Sequence, residues 1–288
     1  MKERKLSTLI GLILSDGGIS CSHNHAEIFF TNISEKLIEI FTNISKKLFG
    51  VKPKIRRKAG KFFQINLPSK NAANFLLSLV NTGRKKRCNK VPICPKLKGM
   101  TNGSCIVCSP VKIRNDTFPL IKLPDFIKND QQNKIEFLKA MFSCDGGVAL
   151  FPRRGKGKLR IEREVFLACK HPLLREMVVE LLSSLGIQAK NDEKKNKVLI
   201  RDFENMKKFK DIVGFIDGVL VTKNSKTWRN FEKNKILDIA VKTFDMSKPL
   251  TPGLWSKFNS KRKITSFLKS LLAPNYSGTP VNGREVTT

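Results

Sequence analysis

Apolar positions along the chain recur with two periods, and the alternation between them lays out the expected fold. Residues 9–14 form an apolar run of helical character that stops at Ser15-Asp16-Gly17-Gly18. Residues 138–144 form a second run, which stops at Asp145-Gly146-Gly147. The first run is followed by a hairpin whose second arm is the apolar strand 27–32. A helix-period stretch at 34–49 then closes at Gly50, followed by alternating segments at 51–58 and 61–67 and a further helix at 69–80. After the second run the order repeats, with a strand at 160–169, a helix at 172–185 closing at Gly186, a strand at 197–201 and a helix at 203–212. A period near 3.6 predicts a helix with one buried face, a period of two predicts a half-buried strand, and glycines mark helix ends. The chain is therefore predicted to be an α+β protein made of two α-β-β-α-β-β-α units. The units span 1–83 and 131–245, with an insert at 84–130 and a basic extension at 246–288 whose end is expected to be disordered.

The two apolar runs make physical sense as a pair. Gly11 and Ser15, like Ala140 and Cys144, are small residues four apart, a spacing that lets two helix backbones approach closely. Side-by-side packing would bring Asp16 and Asp145 together at the helix C-termini, with the following glycines expected to make a left-handed turn into a strand. Helix dipoles disfavour negative charge there, and the carboxylates repel each other. A cation is required, and hard oxygen ligands suit Mg²⁺, with the backbone of Ser15 and Cys144 as further candidate ligands. Carboxylate-held divalent metal is an apparatus for phosphodiester hydrolysis.

Charge narrows the partner. With 55 Lys and Arg against 24 Asp and Glu, the formal charge is +31, while 40% hydrophobic residues are too many for a disordered basic tail. Nucleic acid is the first polyanion to consider and an anionic membrane surface the second. No apolar run reaches membrane-spanning length, and the apolar start is too short for a signal peptide. Together with an odd count of seven cysteines, this predicts a soluble protein of a reducing compartment, cytoplasmic in a prokaryote or in an organellar matrix. Within the strands, Lys52, Lys54, Arg56 and Lys58 share one face by alternation, and Lys61 follows. The neighbouring strand turns Phe63, Ile65 and Leu67 one way and Gln64 and Asn66 the other. In the second unit Arg153, Arg154, Lys156, Lys158 and Arg160 lie in what reads as a long basic loop, and Arg163 and Arg201 are expected to continue the surface. Such residues suit phosphates, guanine and adenine in the major groove of double-stranded DNA.

Residues 9–17, LIGLILSDG, resemble the LAGLIDADG signature at Leu9, Gly11, Leu12, Ile13, Asp16 and Gly17. The second copy, 138–146, matches at Leu138, Asp145 and Gly146 and keeps the pattern of small and apolar residues. Flanking segments resemble the family as well: Leu123-Pro124-Asp125-Phe126-Ile127 with Phe137, Thr82-Gly83-Arg84-Lys85-Lys86, and Trp228 with Phe231-Glu232-Lys233-Asn234. The resemblance spans about 5–245 and implies a single-chain LAGLIDADG homing endonuclease, intron-encoded and monomeric. It implies two pseudo-symmetric halves with the signature helices at their interface. Sheets would form a saddle over DNA, and Mg²⁺ or another divalent ion would sit at Asp16 and Asp145. It further implies a catalytic basic residue, for which Lys223 is the first candidate, Lys226 the second, and Lys85 or Lys86 the first-half counterpart. Where the family often has a polar residue organising solvent at a strand end, Asn32 fits and Cys169 departs.

Four insert cysteines, Cys88, Cys94, Cys105 and Cys108, could ligate structural zinc, remain buried thiols or form disulfides. His23 and His25 are expected in an exposed turn. An RNA-binding intron maturase of the same fold is the alternative function. A DNA-binding regulator is disfavoured by the intact acids and the lack of a helix-turn-helix, and an intein by the absence of its terminal residues.

Overall fold

The computed structural model describes residues 2–21, 26–58, 62–80, 110–113, 116–119, 121–155, 158–222, 225, 227–245 and 260–272. The first half runs α1 (Lys2–Asp16), β1 (Gly17–Cys21), β2 (Ala26–Asn32), α2 (Glu35–Phe49), β3 (Lys54–Lys58), β4 (Phe62–Leu67) and α3 (Lys70–Val80). The second half repeats it with α5 (Gln131–Asp145), β7 (Gly146–Gly155), β8 (Lys158–Ala168), α6 (Pro172–Ser184), β9 (Lys190–Asp192), β10 (Lys197–Ile200) and α7 (Phe203–Lys208), the last continuing as a π turn through Val213. Between them lie a small hairpin, β5 (Pro110–Ile113) with β6 (Asp116–Pro119), and the short α4 (Asp125–Asn129). Two helices close the described chain, α8 (Lys233–Asp245) and α9 (Lys261–Ser270).

Each half contributes one four-stranded antiparallel sheet, in the orders β1-β2-β4-β3 and β7-β8-β10-β9. The same order in both confirms the tandem repeat. Local chemistry sets the elements. Ser34 caps α2 by accepting from the Leu37 N–H, and Gly50 ends it at φ 68° with its N–H on the Lys46 carbonyl. Asp130 caps α5 through the Asn133 N–H, and Pro172 opens α6. Strand β3 starts at Lys54, three residues later than the sequence predicts, because Pro53 has no N–H for the ladder.

Three expectations change. Residues 152–158 are not a loop: β7 and β8 remain paired from Gly146↔Leu167 out to Gly155↔Lys158, making a ribbon much longer than the β1–β2 hairpin. The end of the insert is not a bare linker, since Ile121, Leu123 and Ile127 are buried in the common core. The extension contains α9, whose Ile264 and Leu268 are fully buried against the body. No described helix is long and apolar enough to cross a membrane. The insert cysteines, His23, His25 and residues 273–288 lie outside the described residues.

Candidate active site and DNA-facing surface

Helices α1 and α5 pack on each other along their small-residue stripes, the most extensive helix–helix contact of the molecule. A Cβ at Gly11 would come within 2.6 Å of the Phe137 carbonyl oxygen and 2.8 Å of the Ala140 Cβ, so only glycine permits this approach. The glycines after the aspartates work differently from expectation. Gly146 is extended (φ −100°, ψ 175°), and none of Gly17, Gly18 and Gly147 has positive φ. Their role is close approach: a Cβ at Gly17 would lie 2.8 Å from the Phe29 carbonyl oxygen, and one at Gly146 would lie 2.6 Å from the Phe142 carbonyl oxygen. Each strand thus leaves its helix pressed between the last helical turn and the next strand.

This geometry delivers Asp16 and Asp145 to one cleft of about 800 Å³, bordered by Asn32, Lys36, Arg57, Cys144, Asn230 and Lys233. Asn32 bridges: its Nδ2 donates to Asp16 Oδ2 at 2.7 Å while its Oδ1 accepts from the Ser34 N–H at 2.7 Å. Cys169, at the corresponding end of β8, turns its thiol to the His171 carbonyl oxygen at 3.6 Å instead. The Cys144 thiol is pushed well above its ordinary range, first by burial and then by the charges of Asp16 and Asp145. It stays a neutral thiol that hydrogen-bonds Asp16.

Lys233 is the residue that sequence reasoning passed over. Its ammonium is buried and donates to the Ser143 carbonyl at 2.7 Å and the Gly146 carbonyl at 2.6 Å, capping the end of α5 beside Asp145. Burial lowers its pKa to about 8, against the pull of the Cys144, Asp145 and Asp16 negative charge. The signal was present: Ile236, Leu237 and Ala240 are buried at i+3, i+4 and i+7 from Lys233, so helical spacing alone puts this lysine on the core face of α8. Lys223, Lys226, Lys85 and Lys86 lie outside the described residues.

Among the described residues no group of three or more His, Cys, Asp and Glu could hold a metal. The donor set is the two carboxylates with the helix-end backbone around Ser15 and Cys144. That set is all oxygen, open to a cleft wide enough for a phosphate group, and already has one fixed cation nearby. It fits a hard divalent ion that takes its remaining ligands from water and phosphate.

The sheet faces divide cleanly. In the first half Lys54 pairs with Asn66 and Arg56 with Gln64, placing all four on the face opposite the buried Ile65 and Leu67. Lys54 and Arg56 are exposed, as is Lys52 just before the strand. Gln64 donates to Asn66, which donates to Glu27, so the amides are pre-oriented. Lys58 takes the same face by register, while its side chain, like Lys61, is outside the described set. In the second half Arg153 is exposed on the outer face and pairs with Glu162 at 3.6 Å, and Arg201 pairs with Glu164 at 2.7 Å. Arg163 is a correction. It shares the inner face with Val165 and Leu167, and its guanidinium donates to Thr243 Oγ1 and the Thr243 carbonyl over the Phe244 ring. It ties β8 to α8 and does not face outward. The side chains of Arg154, Lys156, Lys158 and Arg160 lie outside the described residues.

The LAGLIDADG-like domain family matches residues 132–214. The meganuclease I-SmaMI bound to uncleaveable DNA is similar at a TM-score of 0.50 and 11% identity, over 94% of this chain and 98% of its own. I-DmoI in complex with DNA and Mn gives 0.44 and 17%, over 74% and 97%. The N-terminal LAGLIDADG domain of DUF199/WhiA gives 0.44 and 14%, over 75% and 86%. A comparison with curated proteins finds no match.

Proposed function

We propose, from the premise that this chain is a two-repeat LAGLIDADG protein, that it is a site-specific endonuclease cutting both strands of DNA with a divalent cation. The observation that carries the reading is the convergence of Asp16 and Asp145, from two halves, in one cleft between two sheets. Asp16 and Asp145 would hold the ion, with backbone oxygens of Ser15 and Cys144 in reach. A bound divalent ion supplies charge stabilisation at the scissile phosphate and a more acidic water. Asn32 fixes the Asp16 carboxylate, and Lys233 offsets the charge of the acid pair from beneath. Lys52, Lys54, Arg56, Gln64 and Asn66 on one side, and Arg153 and Arg201 on the other, suit the backbone and base edges of a duplex. The solved relatives named above that were captured with DNA, I-SmaMI and I-DmoI, support this choice of partner.

Two complete halves in one chain need no second subunit, and their unequal hairpins imply an asymmetric target bound by a monomer. The test is incubation of the full chain with a randomised duplex library and Mg²⁺, followed by sequencing of cut ends. A single long, non-palindromic site, lost when Mg²⁺ is withheld, is the expected result. Cutting without metal, or no enrichment of any site, refutes the proposal. Binding should also weaken steeply with salt, as Lys and Arg contacts release counterions.

A further inference from the structure

Large apolar side chains scattered singly on a surface are ordinary. Two of the exposed ones here are not scattered. Ile33 is 40% exposed and Leu220 is 47% exposed, and both border the cleft that holds Asp16 and Asp145. They come from different halves. A Cβ built at Gly218 would lie 3.9 Å from Lys36 Cγ, so the second half's loop overlies the β2–α2 junction of the first.

Both stand on pinned backbone. Ile33 sits between Asn32, tied to Asp16, and Ser34, the cap of α2. Leu220 forms an antiparallel bridge with Glu232. On either side of it the Val221 N–H donates to the Phe231 carbonyl at 2.8 Å, and the Lys233 N–H to the Val219 carbonyl at 3.0 Å. Neither side chain can turn into the core without breaking these bonds. The rest of the rim is polar, including Asp16, Asn32, Lys36 and Asn230. Two fixed apolar tips in such a rim add nothing to phosphate binding or metal binding.

We propose that Ile33 and Leu220 form a wedge that presses on the minor groove between the two cut positions and sets the preferred central sequence. This rests on the nuclease reading above. Two sheets that engage successive major grooves on one side of a duplex leave a minor groove facing the protein between them, where the cleft lies. The minor groove offers too degenerate a pattern of donors and acceptors for direct reading. An apolar side chain against it partly unstacks a base step instead. Pyrimidine–purine steps such as TA and CA deform easily, whereas A-tracts are stiff. The wedge therefore favours a flexible central step without any hydrogen bond to it.

The experiment uses the full chain with Mg²⁺ on its selected target, randomised only at the central base pairs. Wild type should prefer targets with a central pyrimidine–purine step over A-tract centres by about tenfold, the scale of one unfavourable base pair. The double variant Ile33→Ser, Leu220→Ser should lose most of that preference and keep its preferences at the outer positions. Phe75→Ser, also at an exposed apolar residue but away from the cleft, should leave the central preference intact. A second readout does not need cutting: 2-aminopurine at the central step should brighten when wild type binds and stay dim with the double variant. Unchanged central preference, or unchanged 2-aminopurine response, in the double variant overturns the wedge. A wild-type chain that cuts no duplex refutes the nuclease reading itself.

Discussion

The two halves share sheet order, helix order and a carboxylate at the end of the leading helix, yet they surround that carboxylate differently. In the first half Asn32 grips Asp16 at 2.7 Å. In the second half Cys169 is turned toward His171, and the end of α5 is held instead by the buried Lys233. The DNA-facing sheets diverge too. The first presents Lys54 and Arg56 with orienting amides, whereas the second interleaves Glu162 and Glu164 with Arg153 and Arg201 on a longer ribbon. What the repeat keeps is what packing demands: the tight helix pair and the glycine at the helix-to-strand step. What it varies is the shell around each acid and the outer face, which tolerate substitution because they lie outside the core.

The largest effect should fall on what the halves share. Asp16→Asn and Asp145→Asn should each slow cleavage about a thousandfold, the several kcal/mol that metal stabilisation supplies, with target affinity retained. Near-normal cutting by either variant in single-turnover assays would show that the halves are not equivalent in their acids. Next comes the helix seam. Gly11→Ala should cost about 3 kcal/mol in urea unfolding, because its methyl meets backbone and the Ala140 Cβ at under 3 Å. Ala140→Gly on the facing helix should cost only about 1 kcal/mol. Equal costs would mean that the seam can part without strain.

A similar but pH-gated effect should mark Lys233. At neutral pH its two charge-assisted hydrogen bonds are offset by the cost of burying the ammonium, so Lys233→Met should change stability little. Its pKa falls from 10.5 in the unfolded chain to about 8 in the folded one. Between those values the unfolded chain holds the proton and the folded chain does not, so wild type gains stability as pH rises through that window. Metal-free wild type should therefore gain about 3 kcal/mol relative to Lys233→Met between pH 7.5 and 10.5. A constant difference would place the amine in a wetter site. The smallest effect should separate the strand ends. Asn32→Ala should slow cutting of one strand about tenfold, as loss of a carboxylate's orienting partner does. Cys169→Ala should leave both strand rates unchanged, and equal slowing of both strands by Asn32→Ala would remove the asymmetry.

Much of this was legible before the structure. Helical and alternating periods located both sheets, and small residues four apart foretold the seam between Gly11 and Ala140. The misses have physical causes. The 152–158 segment carries Pro and Gly, which local propensity reads as loop, but pairing with β8 keeps it extended. Arg163 was assigned outward from its charge, although its register with Val165 and Leu167 already put it inward. In α9, Ile264 and Leu268 have helical spacing, but the surrounding prolines hid it. Lys233 was overlooked because a lysine reads as surface, although its spacing in α8 says core. The roles of the glycines after the aspartates depend on the approach of a strand distant in sequence, which no local pattern encodes.

The claim that one chain assembles the whole site from both halves is tested most directly by mixing Asp16→Asn and Asp145→Asn chains on a single target with Mg²⁺. A site built within each monomer leaves every chain in the mixture with one missing carboxylate, so the predicted result is no linear product beyond that of either variant alone. Recovery of double-strand cutting in the mixture would contradict it, because intact acids would then be joining between chains.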